Sequence, residues 1–121
     1  MENTKFNLLT NEQRKNLLIG ALEGGSNYWY FLPFNEGYNL RSYSIDSIWA
    51  AILEGKTFNI HDLEDEDEKL GELNLQNIIN GEWLMYKNSP HNFADILSEN
   101  DDAGTADVWF QFAALKEIVF G

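Results

Sequence analysis

Six carboxylates fall within seven consecutive residues: Asp62, Glu64, Asp65, Glu66, Asp67 and Glu68, interrupted only by Leu63. Such a run can hold a divalent cation, supply an acid–base pair, or present a negative surface. A calcium loop of the EF-hand type needs glycine at its sixth position and a bidentate glutamate at its twelfth. Counted from Asp62, the sixth residue is Asp67, so the run does not fit that motif. His61 beside Asp62 and Glu64 gives part of a transition-metal site, but a stable centre needs three or four ligands in fixed geometry. His91 is the only other histidine, and it follows Pro90 in the first turn of a predicted helix. With no cysteine and no HExxH, the common zinc signatures are absent. No nucleophile elbow, P-loop or dinucleotide fingerprint occurs. No metal or cofactor is therefore expected. Two readings of the run stand: a solvated hairpin tip, and a charged patch that meets a basic partner.

A second group of chemically capable residues is spread along the chain. Asp107 lies one turn into the closing helix, and Gln111 follows four residues later on the same face. Both are polar in an otherwise apolar segment, and buried polar groups need partners. They either bond core groups such as tryptophan and tyrosine donors, or they line a pocket. Glu23 precedes Gly24-Gly25, with Tyr28 and Trp29 just after. Aromatics with a few fixed polar groups build a small-ligand or nucleobase pocket, and they also build a hydrogen-bonded corner of a core. Gly24-Gly25-Ser26 follows a helix instead of preceding one, so it does not make a helix N-terminal phosphate cradle.

The elements that must position these residues read as a mixed fold. Thr10 and Gln13 form a capping box for a helix over about residues 11–23, burying Leu17, Leu18, Ala21 and Leu22, with a left-handed stop at Gly24-Gly25. Tyr28 to Phe34 is short and aromatic and reads as a strand, followed by a turn at Asn35-Glu36-Gly37. Ile45, Ile48, Trp49, Ile52 and Leu53 make one apolar helical stripe over about 45–54, capped by Ser44 and stopped by Gly55. Thr57 to Leu63 alternates as a half-buried strand, with Leu70 or Leu73 returning beside Phe58. Asn74 caps a third helix carrying Leu75, Ile78, Ile79, Trp83 and Tyr86 on one side, interrupted by Gly81. Ser89-Pro90 opens a short helix burying Phe93, Ile96 and Leu97. Asn100-Asp101-Asp102 ends it and caps a last helix over about 103–118. That helix is apolar around most of its circumference, which places it centrally or at an oligomer interface. The expected class is α+β: about five helices with a small antiparallel sheet of two or three strands.

The 121 residues suit one domain, 1–121. Twenty acids against eight bases give a net charge of -12. The only basic pair is Arg14-Lys15. A nucleic-acid surface needs a positive footprint, so neither direct nucleic-acid binding nor binding to an anionic membrane is expected. No apolar run approaches the roughly 20 residues of a membrane span, and no signal peptide is visible.

Two segments carry a resemblance. Ala21-Leu22-Glu23-Gly24-Gly25-Ser26-Asn27-Tyr28-Trp29 is similar to an "ALEGG…YW" segment in an uncharacterised family of small proteins encoded by bacteriophages, prophages and other mobile elements. Thr105-Ala106-Asp107-Val108, Gln111-Phe112-Ala113 and Glu117-Ile118-Val119-Phe120-Gly121 resemble that family's C-terminus, which typically ends "GEVVFG" or "GEIVYG". Lys116 stands where the pattern has glycine. The resemblance implies a mobile-element setting and no particular activity. It marks Glu23, Gly24, Gly25, Tyr28, Trp29, Asp107, Gln111, Glu117 and Gly121.

The leading expectation is a non-catalytic binding protein in the host cytoplasm that inhibits a host defence system. It would bind a host protein with a basic surface, its acids standing in for nucleic acid, and the closing helix could form a homodimer interface. One alternative is sequestration of a small nucleotide signal near Tyr28, Trp29 and Asp107. Another is a small metal-dependent enzyme using His61, Asp62 and Glu64, or one using Asp107 and Glu117 as acid–base residues. A virion-assembly accessory is the structural alternative.

Overall fold

The computed structural model describes residues 7–33 and 44–121. Thr10 opens α1 (Asn11–Gly20) through the full capping box, its side chain accepting from the Gln13 amide while Gln13 reaches back to the Thr10 N–H. Leu17, Leu18, Ala21 and Leu22 are buried as their spacing predicts. The helix does not stop at a left-handed glycine. It widens into a π-helical turn, Ala21–Gly25, closed by the Ser26 N–H donating to the Ala21 carbonyl at 2.8 Å. Neither Gly24 nor Gly25 has positive φ. Gly25 is there for close approach: a Cβ on it would strike the Ala103 carbonyl.

The first strand, β1 (Tyr30–Phe31), is shorter than the aromatic run suggests, because Ser26 to Trp29 form a turn. The expected turn at Asn35-Glu36-Gly37 lies outside the described residues. Helix α2 (Ile45–Leu53) has Ser44 as N-cap, and Gly55 follows it with φ 94°. Its stripe is narrower than predicted, because Leu53 faces solvent. Strands β2 (Phe58–Asp62) and β3 (Lys69–Leu73) form an antiparallel hairpin with Phe58 opposite Leu73. The register shifts between Ile60 and His61, where β3 carries one extra residue. Tyr30 pairs with Asp62 and Phe31 with His61, giving the sheet order β1-β2-β3.

Helix α3 (Leu75–Asn88) begins at the Asn74 cap. Its inner face is Ile78, Gly81, Glu82 and Met85, rotated from the predicted side; Tyr86 is exposed. Gly81 does not interrupt the helix. It lets the backbone of α3 meet that of the last helix, since a Cβ there would lie 2.6 Å from the Ala113 Cα. Helix α4 (Pro90–Leu97) has proline in its first turn and buries Phe93 and Ile96, but leaves Leu97 55% exposed.

Helix α5 (Ala103–Leu115) is the centre of the molecule. Asp102 caps it, accepting from the Thr105 N–H and hydroxyl, which hold the Asp102 carboxyl below its ordinary range. Thr105, Ala106 and every residue from Trp109 to Ala114 are buried. Its neighbours are α1, the π turn, α3, α4 and β3, so this chain itself covers the apolar circumference. Trp29 and Phe110 pack with ring centres 5.3 Å apart, and Tyr30 meets Phe110 edge-on at 5.6 Å. Full burial contributes about 1.5–3 kcal/mol for an aromatic such as Phe110. The helix ends three residues before Ile118, which is exposed, because Lys116 takes a left-handed conformation with φ 71°. Among the described residues no helix is long and apolar enough to cross a membrane.

Three substitutions check this packing and the end of α5. In an open helix Gly→Ala gains about 1 kcal/mol. Gly81→Ala should instead destabilise by about 1–3 kcal/mol through overpacking, read as a lower urea midpoint, while Gly24→Ala, which meets open space, should be neutral or stabilising. Lys116→Gly removes a Cβ from a left-handed residue, and should raise stability by up to about 1 kcal/mol. A fall in its midpoint would contradict the C-cap described.

Candidate functional site

The turn after the π segment presents three donors to α5, and Gly25 lets the turn approach closely enough for them to reach one carboxylate. Ser26 Oγ and Trp29 Nε1 donate to Asp107 Oδ1 at 2.7 and 2.8 Å. The Tyr28 hydroxyl donates to Asp107 Oδ2 at 2.7 Å, and Gln111 Nε2 donates to the same oxygen at 3.2 Å. One turn further along α5, the Gln111 carboxamide holds the segment after the helix. Its Oε1 accepts from the N–H groups of Val119 and Phe120 at 2.8 and 2.9 Å, and its Nε2 also donates to the Phe120 carbonyl at 3.0 Å. The Phe120 ring is thereby laid on Trp29, nearly parallel, with centres 5.0 Å apart.

The structure thus brings Tyr28, Trp29, Asp107 and Gln111 together and adds Ser26, Val119 and Phe120, which the sequence did not single out. Glu23 and Glu117 are exposed and make no bond to the cluster. Four donors occupy the Asp107 carboxylate, and the Gln111 carboxamide is used at both ends. The group works as a latch tying the turn at 26–29 and the segment at 119–120 to α5. Partial burial of its hydroxyl, followed by its bond to the negative Asp107, pushes the Tyr28 pKa up to about 12. The residue as a whole is 47% exposed; the ring meets solvent while the hydroxyl faces the carboxylate.

The acidic run is the loop of the β2–β3 hairpin, and its own hydrogen bonds tie it down. The Asp62 N–H donates to the Glu68 carbonyl, and the Glu68 N–H to the Asp65 carbonyl. Asp62 Oδ1 accepts from the Glu64 N–H at 2.9 Å, and Asp65 Oδ1 from the Asp67 N–H at 3.2 Å. His61 Nδ1 lies 2.7 Å from the Glu66 carbonyl, so it carries the proton and donates. The Leu63 N–H donates to the Trp29 carbonyl, anchoring the loop beside the latch. Glu64 to Glu68 are all exposed, and among the described residues no cation forms an ion pair with any of the six acids. His61 and Asp62 are bonded to the loop's own backbone. Among the described residues no group of three or more His, Asp or Glu side chains is placed to hold a metal ion.

One buried charged cluster escaped the sequence reading. Glu82 and Arg14 are 1% and 2% exposed. Arg14 Nε donates to both Glu82 oxygens at 3.0 and 3.1 Å, and Nη2 donates to Oε1 at 2.8 Å. Trp109 Nε1 donates to Glu82 Oε2 at 3.0 Å, and Asn11 accepts from Arg14 Nη1. The signal was register: Arg14 lies three residues before Leu17, and Glu82 four after Ile78, so both interrupt apolar rows with opposite charges. The basic pair Arg14-Lys15 is accordingly no basic patch, since Arg14 is internal and Lys15 pairs with Asp46 at 2.8 Å.

No family model matches the chain, nor does any curated protein or solved structure.

The latch predicts a pH dependence with a definite sign. The folded pKa of Tyr28 lies above its ordinary value of 10.0, so its contribution to stability is complete below that value and is lost as pH rises through about 12. Tyrosinate absorbance, compared with Tyr28→Phe, should show one late-titrating group. Asp107→Asn replaces an acceptor oxygen by a donor nitrogen. It should cost about 1–3 kcal/mol and return that titration towards the ordinary range. An unchanged Tyr28 titration in Asp107→Asn would contradict the latch.

Proposed function

We propose that this chain is a small non-catalytic binding protein that engages a basic protein surface through its acidic hairpin loop. In the mobile-element setting that the resemblance implies, the partner is a host protein that ordinarily handles nucleic acid, and the loop takes the place of the phosphates. One observation carries the reading: six carboxylates are held in a hydrogen-bonded loop that leaves five consecutive acids exposed. A loop ordered in advance loses less entropy on binding, and clustered charge steers a basic partner into contact. The Tyr28–Trp29–Asp107 group gives less support to the capture of a small nucleotide, because its polar atoms are already bonded to one another.

The test is capture of host proteins on the immobilised chain at low and raised salt, beside an Asp65→Asn, Glu66→Gln, Asp67→Asn variant. Asparagine at 65 keeps the oxygen that accepts from Asp67, so the loop keeps its shape. The retained partner should be basic, released by salt because exposed charge attraction is screened, displaced by duplex DNA, and lost on the neutralised variant. A partner held equally by the variant and at high salt would overturn the proposal.

A further inference from the structure

Seven large apolar side chains are exposed among the described residues. Three of them, Leu53, Tyr86 and Leu97, lie on three different helices. A single exposed apolar residue needs no explanation, whereas a convergent group marks a contact surface. The other four, Tyr28, Leu63, Ile118 and Val119, come from three segments that meet at Trp29. Tyr28 precedes it in the chain. The Leu63 N–H donates to the Trp29 carbonyl at 2.9 Å. The Phe120 ring lies on the Trp29 indole, and Ile118 and Val119 lead directly into it. Gln111 joins the first segment to the last: its Nε2 shares Asp107 Oδ2 with the Tyr28 hydroxyl, while its Oε1 holds the Val119 N–H. The bond to Asp107 also fixes the Tyr28 side chain while its ring meets solvent. Leu63 belongs to the acidic run as well, and five exposed acids follow it directly.

We propose that Tyr28, Leu63, Ile118 and Val119 form the apolar half of the interface whose charged half is the hairpin loop, and that the partner is a basic protein surface carrying apolar side chains among its cations. The inference rests on the reading of the loop as a binding surface and adds what would make that surface selective. A specific interface uses about 20–30 residues a side, so a loop of five acids needs neighbouring surface. Any polycation satisfies the acids alone. The apolar group discriminates among polycations, because its water is displaced only by a matching apolar surface. Tyr28 suits the centre of such a contact: a tyrosine covers a large area with two side-chain torsions, and its bond to Asp107 has restrained them before the partner arrives. Charge also selects against other occupants. The chain carries -12, so an anionic lipid surface repels it, and a symmetric contact of two copies on this patch would set one acidic loop beside another.

The experiment titrates the intact protein with two short synthetic peptides of equal length and charge, one of Arg and Leu and the other of Arg and Ser, following backbone amide shifts. Both should shift residues 62–68. Only the Arg/Leu peptide should also shift Tyr28, Ile118 and Val119, and it should bind about tenfold tighter, the scale of a small apolar contact. Salt should weaken both peptides and leave their ratio, because apolar contact is not screened. Ile118→Ser with Val119→Ser changes two exposed side chains remote from the loop in sequence. It should abolish the advantage of the Arg/Leu peptide and leave the Arg/Ser affinity as it was. Tyr28→Phe keeps the ring but frees it from Asp107, and should reduce that advantage about two- to threefold, the scale of ordering one side chain. Equal affinity of the two peptides, or an unaltered ratio in either variant, would overturn the apolar half and leave the loop reading standing. No shift at 62–68 with either peptide would overturn the loop reading and this inference with it. A self-associated species in sedimentation that Ile118→Ser, Val119→Ser dissolves would give the patch to a second copy of the chain, and so overturn the inference.

Discussion

Helix α5 has almost no face for solvent, and that constraint organises the rest of the molecule. A helix surrounded by its own chain can be packed densely only if some neighbours come close to its backbone. Three do so through glycines from three different elements. Gly25 of the π turn abuts the Ala103 carbonyl, Gly81 of α3 abuts the Phe112 carbonyl, and Gly71 of β3 abuts the Ala114 carbonyl. Two of the three lie in helical segments, where glycine costs about 1 kcal/mol in propensity. Dense contact against α5 offsets that cost. The sheet is held onto the C-terminal part of the helix, α3 near the same end, and the π turn at the start, so the glycines set the height of each element along one axis.

Polar atoms on such a helix have nowhere to be hydrated, and each needs a partner within the protein. Asp107 finds partners in a turn remote in sequence, Gln111 finds them in the segment just after the helix, and the Trp109 indole finds Glu82. Glu82 is charged and buried, which is tolerable only because Arg14 approaches it with parallel donors. An apolar surface would allow the turn at 26–29 and the segment at 119–120 to slide over α5. The carboxylate and the carboxamide fix both in register, because every alternative leaves a donor or acceptor unpaired in a low-dielectric setting. Residues that have the chemistry of a site thus serve to specify tertiary structure, and their hydrogen-bonding capacity is spent doing so.

Much of this was legible from the chain, for local reasons. Capping residues act on backbone groups within one turn, so Thr10, Ser44, Asn74 and Asp102 marked their helix starts correctly. Alternation placed Phe58 and Ile60 inside, and the returning strand set Leu73 opposite Phe58. The all-round apolarity of α5 gave its central place. What stayed hidden depends on partners far away in sequence. Gly25 and Gly81 looked like stops, because a glycine needed for approach is spelled the same as one needed for positive φ. The buried side of α3 was misjudged because Glu82 belongs inside only when Arg14 is there to meet it. The backbone at Lys116 is left-handed, and the lysine side chain there is exposed to solvent.

The hairpin loop sets two effects of salt against each other. Holding Glu64 to Glu68 side by side costs repulsion, and the bonds from the Glu64, Asp67 and Glu68 N–H groups offset it. Screening relieves that repulsion, so the loop becomes easier to keep folded as salt rises. Attraction to a basic partner is screened by the same ions and weakens. Lys69, the cation next to the loop, is paired with Glu72, and Arg14 is internal and paired with Glu82. Loss of binding at raised salt therefore cannot be put down to loss of the loop, because the two respond to ionic strength with opposite sign.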